Sequence, residues 1–257
     1  MAIAGEQKKY RAIVKQQFSN VELFESIDST HFHPPYRIKG MICRKAFGDT
    51  TANLVSGIGS HLENGDIIKT DRATTVAKAT ISGRDVIIKR YNNQGFLNSL
   101  KYTLAGSRAK RVWRETYLLQ QLNIATPTAL GYFDVFYRGR VMHSYLINEF
   151  CPGPSLHDLL LKAIITVDEW PAICTQVNNL LNNLHAKGIT HGDIKHTNIL
   201  YESKQLILID LDSLIIHRSK NQLRHNIEKD QKAYAKKINS DPSEYIKRKK
   251  IALNISE

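Results

Sequence analysis

The sequence predicts an α+β fold in two lobes, with a small antiparallel sheet in the first lobe and mostly helices in the second. β-branched strand patterns dominate residues 66–91, and helical patterns are most frequent from residue 155 onward. Between these regions, Cys151-Pro-Gly-Pro154 breaks both patterns and is the predicted linker. We therefore expect an N-terminal extension over residues 1–60, a first lobe over residues 61–151, and a second lobe with a basic tail over residues 152–257.

The first lobe is predicted to contain five strands and one helix. Its predicted elements are strands at Ile67–Lys69, Thr74–Ile81 and Val86–Tyr91, a helix between Ser107 and Leu122, and strands at Leu130–Tyr137 and Val141–Phe150. A turn at Ser82-Gly83 joins the second strand to the third. Residues 1–60 show no clean period, and no element is assigned there.

The second lobe is predicted from one amphipathic pattern and two apolar runs. Apolar residues recur at helical spacing from Ile173 to Leu184, and Gly188 closes that helix. Ser155 is placed to cap a shorter helix before it. Residues His191–Leu200 and Leu206–Leu211 are predicted to be short strands beside a polar loop.

Composition restricts the partners and the compartment of the protein. Thirty-six Lys and Arg against 24 Asp and Glu give a net charge of +12, which favours nucleic acid, phosphorylated ligands or an acidic membrane surface. The three cysteines are widely spaced, which argues against a disulfide framework and against a Cys-x-x-Cys metal site. Because no stretch has the pattern of a signal peptide or a membrane span, we expect a soluble protein of the reduced cytoplasm.

The strongest chemical pattern lies in Thr190-His-Gly-Asp-Ile-Lys-His-Thr-Asn-Ile-Leu200 and Leu206-Ile-Leu-Ile-Asp-Leu-Asp212. It places Asp193, Asn198 and Asp210 beside apolar segments. Phosphoryl transfer needs a carboxylate that orients the attacking hydroxyl, and oxygen ligands for Mg²⁺ on the nucleotide phosphates. Each of the three residues taken alone is equally well explained as a turn or strand-end residue. Their joint order and spacing favour phosphoryl transfer.

Val86-Ile-Ile-Lys89 adds an independent match in the first lobe. A Lys that ends an apolar strand can offset the charge of the α- and β-phosphates. Glu115 lies on the basic helix 26 residues later, where it can hold Lys89 by an ion pair. The alternatives are a solvated Lys89 and a helical pair between Glu115 and Arg111.

Several stretches resemble known families. His191-Gly-Asp193, Asp210-Leu-Asp212 and Val86-Ile-Ile-Lys89 resemble the protein-kinase-like superfamily, and Gly192, where protein kinases usually have Arg, resembles small-molecule and lipopolysaccharide kinases. The more specific stretches are Lys89-Arg-Tyr-Asn92, Ser107-Arg-Ala with Trp113-Arg-Glu115, and Leu122-Asn-Ile-Ala-Thr-Pro127. Over residues 60–235 this combination resembles the bacterial lipopolysaccharide (Kdo/heptose) kinase family.

That resemblance implies a two-lobed protein-kinase-like fold with a shortened C-terminal lobe. It also implies that ATP and Mg²⁺ are cofactors and that a sugar hydroxyl of the lipopolysaccharide inner core accepts the γ-phosphate. The implied roles are Asp193 as catalytic base, Lys195 at the transferred phosphate, Asn198 and Asp210 as Mg²⁺ ligands, Lys89 as phosphate-binding residue with Glu115 as its partner, and Glu149 to Cys151 as the hinge whose backbone meets adenine.

The sequence departs from the family pattern in the segment expected to bind the nucleotide phosphates. Thr70-Asp-Arg-Ala-Thr-Thr75 stands where a Gly-rich phosphate loop is expected and contains no Gly. Its backbone N–H groups, together with Thr74, Thr75 and Arg72, are the candidate phosphate ligands there. Asp212 stands where protein kinases have Gly, which removes a hint of the mobile switch used in regulated protein kinases. No Ala-Pro-Glu follows it, which counts against a protein substrate. The alternatives are a kinase for another small molecule or for a protein, and a pseudokinase that binds without turnover.

The residues from His217 to Lys250 include eleven Lys and Arg against four Asp and Glu. One interpretation is a solvated helical face. The other is attraction to anionic lipid or phosphorylated sugar, which predicts a protein peripheral to the cytoplasmic face of the inner membrane. Nucleic acid is not expected as a partner, because the sequence contains no recognised nucleic-acid module. A metal at His31-x-His33 is not expected either, because no further ligand lies at suitable spacing.

Overall fold

The computed structural model describes residues 24–29, 36–47, 51–92 and 95–252, together with Ala12. The described residues divide into two compact units. The N-terminal unit comprises those within 11–118 and 127–150, and the C-terminal unit comprises those within 119–126 and 151–252. The last of these boundaries falls between Phe150 and Cys151, at the start of the predicted linker Cys151-Pro-Gly-Pro154. The His31-x-His33 pair lies outside the described residues.

An antiparallel sheet of seven strands forms the centre of the N-terminal unit, in the spatial order β1-β2-β6-β7-β5-β4-β3. The strands are β1 (Phe24–Ser29), β2 (Tyr36–Cys43), β3 (Asp66–Thr70), β4 (Thr74–Ile81), β5 (Arg84–Asn92), β6 (Ala129–Tyr137) and β7 (Arg140–Glu149). The helices of this part of the chain are α1 (Arg44–Phe47), α2 (Thr51–Glu63), α3 (Phe96–Ala105) and α4 (Arg108–Gln121).

Helix α2 packs on this sheet and was not visible in the sequence pattern. It contributes four buried side chains to a common core with the strands: Leu54, Val55, Ile58 and Leu62. Gly57 and Gly59 lie within the helix, and glycine lowers intrinsic helix propensity by about 1 kcal/mol per residue. The apolar packing against the sheet therefore stabilises α2 more than its own residue preferences do.

Strands β1 and β2 extend the sheet beyond the five strands that the sequence predicts. β2 pairs with β6 from Tyr36 opposite Tyr137 to Ile42 opposite Gly131. This strand lies within the stretch that the sequence analysis assigned to an N-terminal extension. Gly40 occupies one of the buried positions of β2. Because a glycine interrupts the apolar alternation, the period of a strand is not visible there.

The C-terminal unit is mostly helical. Its helices are α5 (Leu156–Leu161), α6 (Trp170–Ala186), α7 (Lys220–Lys237) and α8 (Pro242–Ala252), and its strands are β8 (Ile189–Thr190), β9 (Ile199–Glu202), β10 (Gln205–Leu208) and β11 (Ile215–Ile216). Ser155 caps α5 in a capping box with Asp158, which confirms the predicted cap. In neither unit does the described part of the chain contain a helix that is long and apolar enough to cross a membrane.

The prediction of one strand over His191–Leu200 was wrong. Two short strands, β8 and β9, flank a loop that includes a 3₁₀ turn at His196–Asn198. Gly192, the second residue of this loop, has a φ of 81°, which a strand does not accommodate. The apolar residues Ile194 and Ile199 suggested a single strand. Both are buried, but Ile194 lies in irregular backbone and Ile199 is the first residue of β9.

Candidate active site

The loop between β8 and β9 gathers three of the predicted site residues. Lys195 Nζ donates a hydrogen bond to Asp193 Oδ2 at 2.5 Å. Asn198 Nδ2 donates to the same oxygen at 3.1 Å and to the Asp193 carbonyl at 3.0 Å. These bonds set the orientation of the Asp193 carboxylate, which is partly exposed at 33%. A carboxylate held in this way can accept a hydrogen bond from an incoming hydroxyl.

Asp210 is brought beside Asn198 by the hairpin of β9 and β10. Ile199 lies opposite Leu208, and beyond that pair Ile209 N–H donates to the Asn198 carbonyl at 3.0 Å. Asp210 follows with a φ of 58° in the left-handed region. Such a backbone is uncommon outside glycine and is best tolerated by Asp and Asn. The hairpin therefore delivers both predicted metal ligands to the same end of the C-terminal unit.

The donor set at this hairpin end fits Mg²⁺. Asn198 offers an amide oxygen and Asp210 a carboxylate, and hard oxygen ligands suit this ion. Among the described residues, no group of three or more His, Cys, Asp and Glu could hold a metal without other ligands. Mg²⁺ is commonly bound by one or two protein oxygens together with substrate phosphates, so such a pair is sufficient.

A buried carboxylate on α7 anchors the start of this loop. Asp230 accepts hydrogen bonds from His191 N–H at 2.9 Å and Gly192 N–H at 2.8 Å, and it contacts His185 Nε2 at 3.1 Å. Burial opposes ionisation of Asp230, but the hydrogen bonds from His185 and the two amides outweigh it and lower the pKa of this carboxyl. The sequence analysis counted Asp230 among the tail charges, because nothing local distinguishes it from its exposed neighbours.

Gly192 is required by the backbone at this point. Its φ is 81°, and a Cβ added there would lie 2.5 Å from the Ser213 carbonyl oxygen. A side chain would therefore be strained both by the dihedral and by the close approach. This explains why the loop has Gly where the sequence analysis noted that protein kinases usually have Arg.

Lys89 lies within a strand of the N-terminal unit and does not end one. It is part of β5 and lies opposite Val76 on β4 and Leu146 on β7. Its Nζ is 5.3 Å from the centre of the Tyr91 ring, and the Arg108 guanidinium from α4 is 4.8 Å from the same ring. The strand continues past Lys89 because Tyr91, two residues further on, is buried.

Glu115 lies on α4 and is largely buried, with a side chain 11% exposed. Arg111 NH1 is 3.9 Å from Glu115 Oε1, so the helical pair considered in the sequence analysis exists. The predicted partnership between Glu115 and Lys89 stays a prediction. Both residues belong to the N-terminal unit.

The turn in the place of the Gly-rich loop binds its own carboxylate. Asp71 accepts hydrogen bonds from Ala73 N–H at 2.8 Å and Thr74 N–H at 2.7 Å, and Lys69 Nζ lies 2.9 Å from its other oxygen. The Thr74 hydroxyl also contacts Asp71, and the side chains of Thr74 and Thr75 are buried. The amides of Ala73 and Thr74, which were among those expected to face phosphate, are thus engaged inside the turn. Sequence reasoning missed Asp71, although an Asp at the start of a turn is a recognised signal.

The predicted hinge begins at the end of β7. Glu149 N–H donates to the Thr128 carbonyl at 2.8 Å, and its carboxylate pairs with Arg84 at 2.9 Å. Phe150 N–H donates to the Asp85 carbonyl at 3.2 Å. Cys151 is half-buried and is not part of a disulfide. The role predicted for Glu149 and Cys151 in meeting adenine remains a prediction.

Comparison with known proteins gives relatives that match this chain over part of its length. Over 71 residues the chain is 34% identical to serine/threonine-protein kinase ste20 of Aspergillus fumigatus, a match that covers 28% of this chain and 8% of the relative. It is 24% identical over 138 residues to a probable LIM domain-containing serine/threonine-protein kinase of Dictyostelium discoideum, covering 53% of this chain and 20% of that protein. The chain therefore spans only a small part of the length of these curated relatives.

One solved structure that this chain resembles is that of WaaP in complex with acyl carrier protein. It has a TM-score of 0.49 and 16% sequence identity, and the match covers 80% of this chain and 93% of that one. The family model for the protein kinase domain matches residues 73–235, which include the β4–β5 hairpin, the Asp193 loop and most of α7. This match extends over more than half of the sequence, and the chain belongs to the protein kinase domain family.

Proposed function

We propose that the protein transfers the γ-phosphate of ATP to an alcohol. The observation that carries this proposal is the Asp193 carboxylate, oriented by Lys195 and Asn198 at the hairpin end that also presents Asp210. These residue types at this place supply a hydroxyl-orienting carboxylate, a positive charge for phosphate and two oxygen ligands. The membership in the protein kinase domain family supports the same reaction type.

Each residue has a role in this reaction. Asp193 orients the acceptor hydroxyl and receives its proton, and Lys195 offsets charge on the transferred phosphate. Lys89 is proposed to offset charge on the α- and β-phosphates. Mg²⁺, held by Asn198 and Asp210, would neutralise phosphate charge when bound.

For the acceptor, we propose a sugar hydroxyl of the lipopolysaccharide inner core. The stretches that resemble lipopolysaccharide kinases support this choice, as does Gly192 in the loop of Asp193. Helix α7 begins at Lys220, so only residues 211–219 connect Asp210 to the helix that carries Asp230. A connection this short leaves little chain for docking a peptide beside the site.

The test is transfer of labelled phosphate from ATP to de-acylated lipopolysaccharide by the purified full chain. Asp193→Ala and Asp210→Ala are expected to lower the rate at least a hundredfold. Asp168→Ala, which removes an exposed carboxylate of the same unit, is the matched control and should retain full activity. Equal transfer by the Asp193→Ala and control variants would contradict the proposal.

We also propose that the protein binds the cytoplasmic face of the inner membrane at its periphery. The support is a set of exposed basic side chains on α7 and α8: Lys229, Lys232, Lys247, Arg248 and Lys249. Basic residues near an anionic bilayer contribute about 1 kcal/mol each. Sedimentation with phosphatidylglycerol vesicles, but not with phosphatidylcholine vesicles, is the expected result, and 0.5 M salt should abolish it.

Two other functions each have an observation in their favour. The curated relatives are named serine/threonine-protein kinases, which favours a protein acceptor. The engagement of the turn amides by Asp71 favours a pseudokinase that binds nucleotide without turnover. Phosphate transfer to casein or histone but not to lipopolysaccharide would support the first. Nucleotide binding with no turnover on any of these acceptors would support the second.

A further inference from the structure

We propose that Lys237 selects an acceptor that carries an anionic group beside its reacting hydroxyl, as a sugar acid or a sugar phosphate does. This inference rests on the proposed phosphotransfer and narrows its substrate class. Lys237 is the last residue of α7, and its Nζ lies 3.5 Å from Asp193 Oδ1. The sequence analysis included Lys237 among the basic tail residues without giving it a role at the site.

The two oxygens of Asp193 have different neighbours. Oδ2 accepts hydrogen bonds from Lys195 at 2.5 Å and from Asn198 at 3.1 Å, and these donors belong to the same loop as Asp193. Oδ1 faces Lys237, which comes from a different element. Because Oδ2 already accepts two hydrogen bonds, Oδ1 is the oxygen better placed to receive the acceptor hydroxyl. The Lys237 ammonium therefore stands where the acceptor must approach.

The backbone beside Lys237 is firmly held, whereas its ammonium group is partly solvated. Ile238 is fully buried, and its carbonyl oxygen accepts a hydrogen bond from Trp170 Nε1 at 3.1 Å. The side chains of Lys237 and Asp193 are 42% and 33% exposed. Ion pairs with this exposure contribute little to stability, so the pair can be exchanged at low cost. A fixed helix end thus presents a long side chain that can exchange one carboxylate partner for another anion.

Such an exchange makes Oδ1 available at the moment it is needed. An anionic group on the acceptor pairs with Lys237, and the neighbouring hydroxyl then donates its hydrogen bond to Asp193 Oδ1. In the transfer, a bond forms between the hydroxyl oxygen and Pγ of ATP while the bond from Pγ to the bridging oxygen breaks. ADP leaves with that electron pair, and the hydroxyl proton passes to Asp193. A neutral acceptor offers nothing to Lys237 and has to compete with it for Oδ1.

The test measures binding separately from turnover. Glucuronate, glucose 6-phosphate and glucose are titrated by NMR into the full chain with Mg²⁺ and a non-hydrolysable ATP analogue. Lys237→Gln is expected to weaken binding of the two anionic sugars about tenfold and to leave glucose binding unchanged. Lys236→Gln, which removes the adjacent exposed charge, should change none of the three. Lys237→Arg should retain most of the affinity for the anions.

The outcomes separate this inference from the proposed function. An effect on glucuronate alone supports a carboxylate on the acceptor, and an effect on glucose 6-phosphate alone supports a phosphate. Equal effects of Lys237→Gln and Lys236→Gln, or glucose binding as tight as the anions, would overturn the role of Lys237. Tighter, Lys237-dependent binding of a Ser peptide with flanking Asp would overturn the sugar assignment. Labelled-phosphate transfer by Asp193→Asn, measured in parallel, tests the proposed function by itself.

Discussion

At the scale of single residues, Asp230 connects three parts of the C-terminal unit through one carboxylate. It lies on α7, contacts His185 on α6, and accepts hydrogen bonds from the amides of His191 and Gly192. These amides lie at the start of the loop between β8 and β9, which is the site loop. Its side chain is only 1% exposed, so no water replaces a lost partner. The position of Asp193 therefore depends on a residue far from it in sequence.

Replacing Asp230 by Asn should weaken the C-terminal unit and its activity together. Asn keeps the size of the side chain but cannot accept all of the present hydrogen bonds, so we expect a loss of about 3 kcal/mol in unfolding free energy. Urea unfolding followed by Trp170 fluorescence in a Trp113→Phe background measures it. Glu228→Gln on the exposed side of α7 should change stability by less than about 0.5 kcal/mol. Similar losses in the two variants would contradict the anchoring role.

Replacing Gly192 by Ala tests the close approach to Ser213. The left-handed backbone and the 2.5 Å contact with the carbonyl together should cost about 1–3 kcal/mol and lower turnover by displacing Asp193. Gly83→Ala is a matched control, because Gly83 has a φ of 76° and nothing within 4 Å of an added Cβ. Unfolding free energies measured for both variants separate dihedral strain from the clash. If the two costs are equal, the clash has no effect.

At the scale of elements, helix α8 is attached to the site loop by an aromatic stack. The Tyr245 ring lies 4.0 Å from the His196 ring, which in turn stacks on Trp170 at 5.5 Å. The Tyr245 hydroxyl and His157 Nδ1 are 2.6 Å apart. His196 stands between Lys195 and Asn198 in the chain, so the packing of α8 bears directly on the loop that orients Asp193.

Removing the Tyr245 ring should release α8 and loosen the loop. Tyr245→Ala is expected to increase hydrogen exchange of the α8 amides and to lower the rate of transfer more than it changes KM for ATP. Tyr245→Phe keeps the stack, loses only the contact with His157, and should cost about 1 kcal/mol. Hydrogen exchange followed by mass spectrometry compares the two. Equal protection of α8 in the Ala variant and the unaltered protein would show that the stack does not hold this helix.

At the scale of the whole molecule, each unit contains a buried titratable group, and the two groups make stability depend on pH in opposite directions. Burial raises the pKa of Asp134 in the N-terminal unit to about 6, a change that the Ser107 hydrogen bond and the Lys110 charge only partly offset. Burial, with smaller contributions from His157 and Lys249, lowers the pKa of His196 in the C-terminal unit to about 4. Both folded units therefore favour the neutral form of the group.

These shifts predict opposite pH dependences. The stabilisation from neutral Asp134 is complete below pH 3.8, the ordinary pKa of Asp, and is lost as pH rises through about 6. The stabilisation from neutral His196 is complete above pH 6.5 and is lost as pH falls through about 4. Each contribution amounts to about 3 kcal/mol.

The two tryptophans allow the units to be followed separately, because Trp113 lies in the N-terminal unit and Trp170 in the C-terminal unit. Urea unfolding of single-tryptophan variants between pH 4 and pH 7.5 gives the two profiles. Asp134→Asn should remove the decline of the N-terminal unit between pH 4 and pH 7 and leave the C-terminal profile unchanged. An unaltered N-terminal profile in that variant would contradict the assignment to Asp134.

Much of the architecture was accessible from local patterns. The α+β protein-kinase-like fold is confirmed, and strands β3 to β7 and helices α4 and α6 lie within a few residues of their predicted positions. Their apolar periods are strong because each element has one buried face. β1, β2 and α2 were not predicted. Glycines interrupt the apolar patterns of β2 and α2, and pairing or packing with the sheet stabilises all three elements.

The sequence by itself determined the order of strands β3 to β7 and helices α4 and α6, and it identified the residues proposed for phosphoryl transfer. Apolar periodicity and the spacing of Asp193, Asn198 and Asp210 are local properties of the chain. Only the tertiary structure showed which distant groups act on those residues. Asp230, Tyr245 and Lys237 reach the site loop from α7 and α8, and Asp71 engages the amides of its own turn. The physical reason is that the role of a charged or aromatic side chain on a helix depends on the groups that the fold packs against it. A local sequence pattern does not identify those groups.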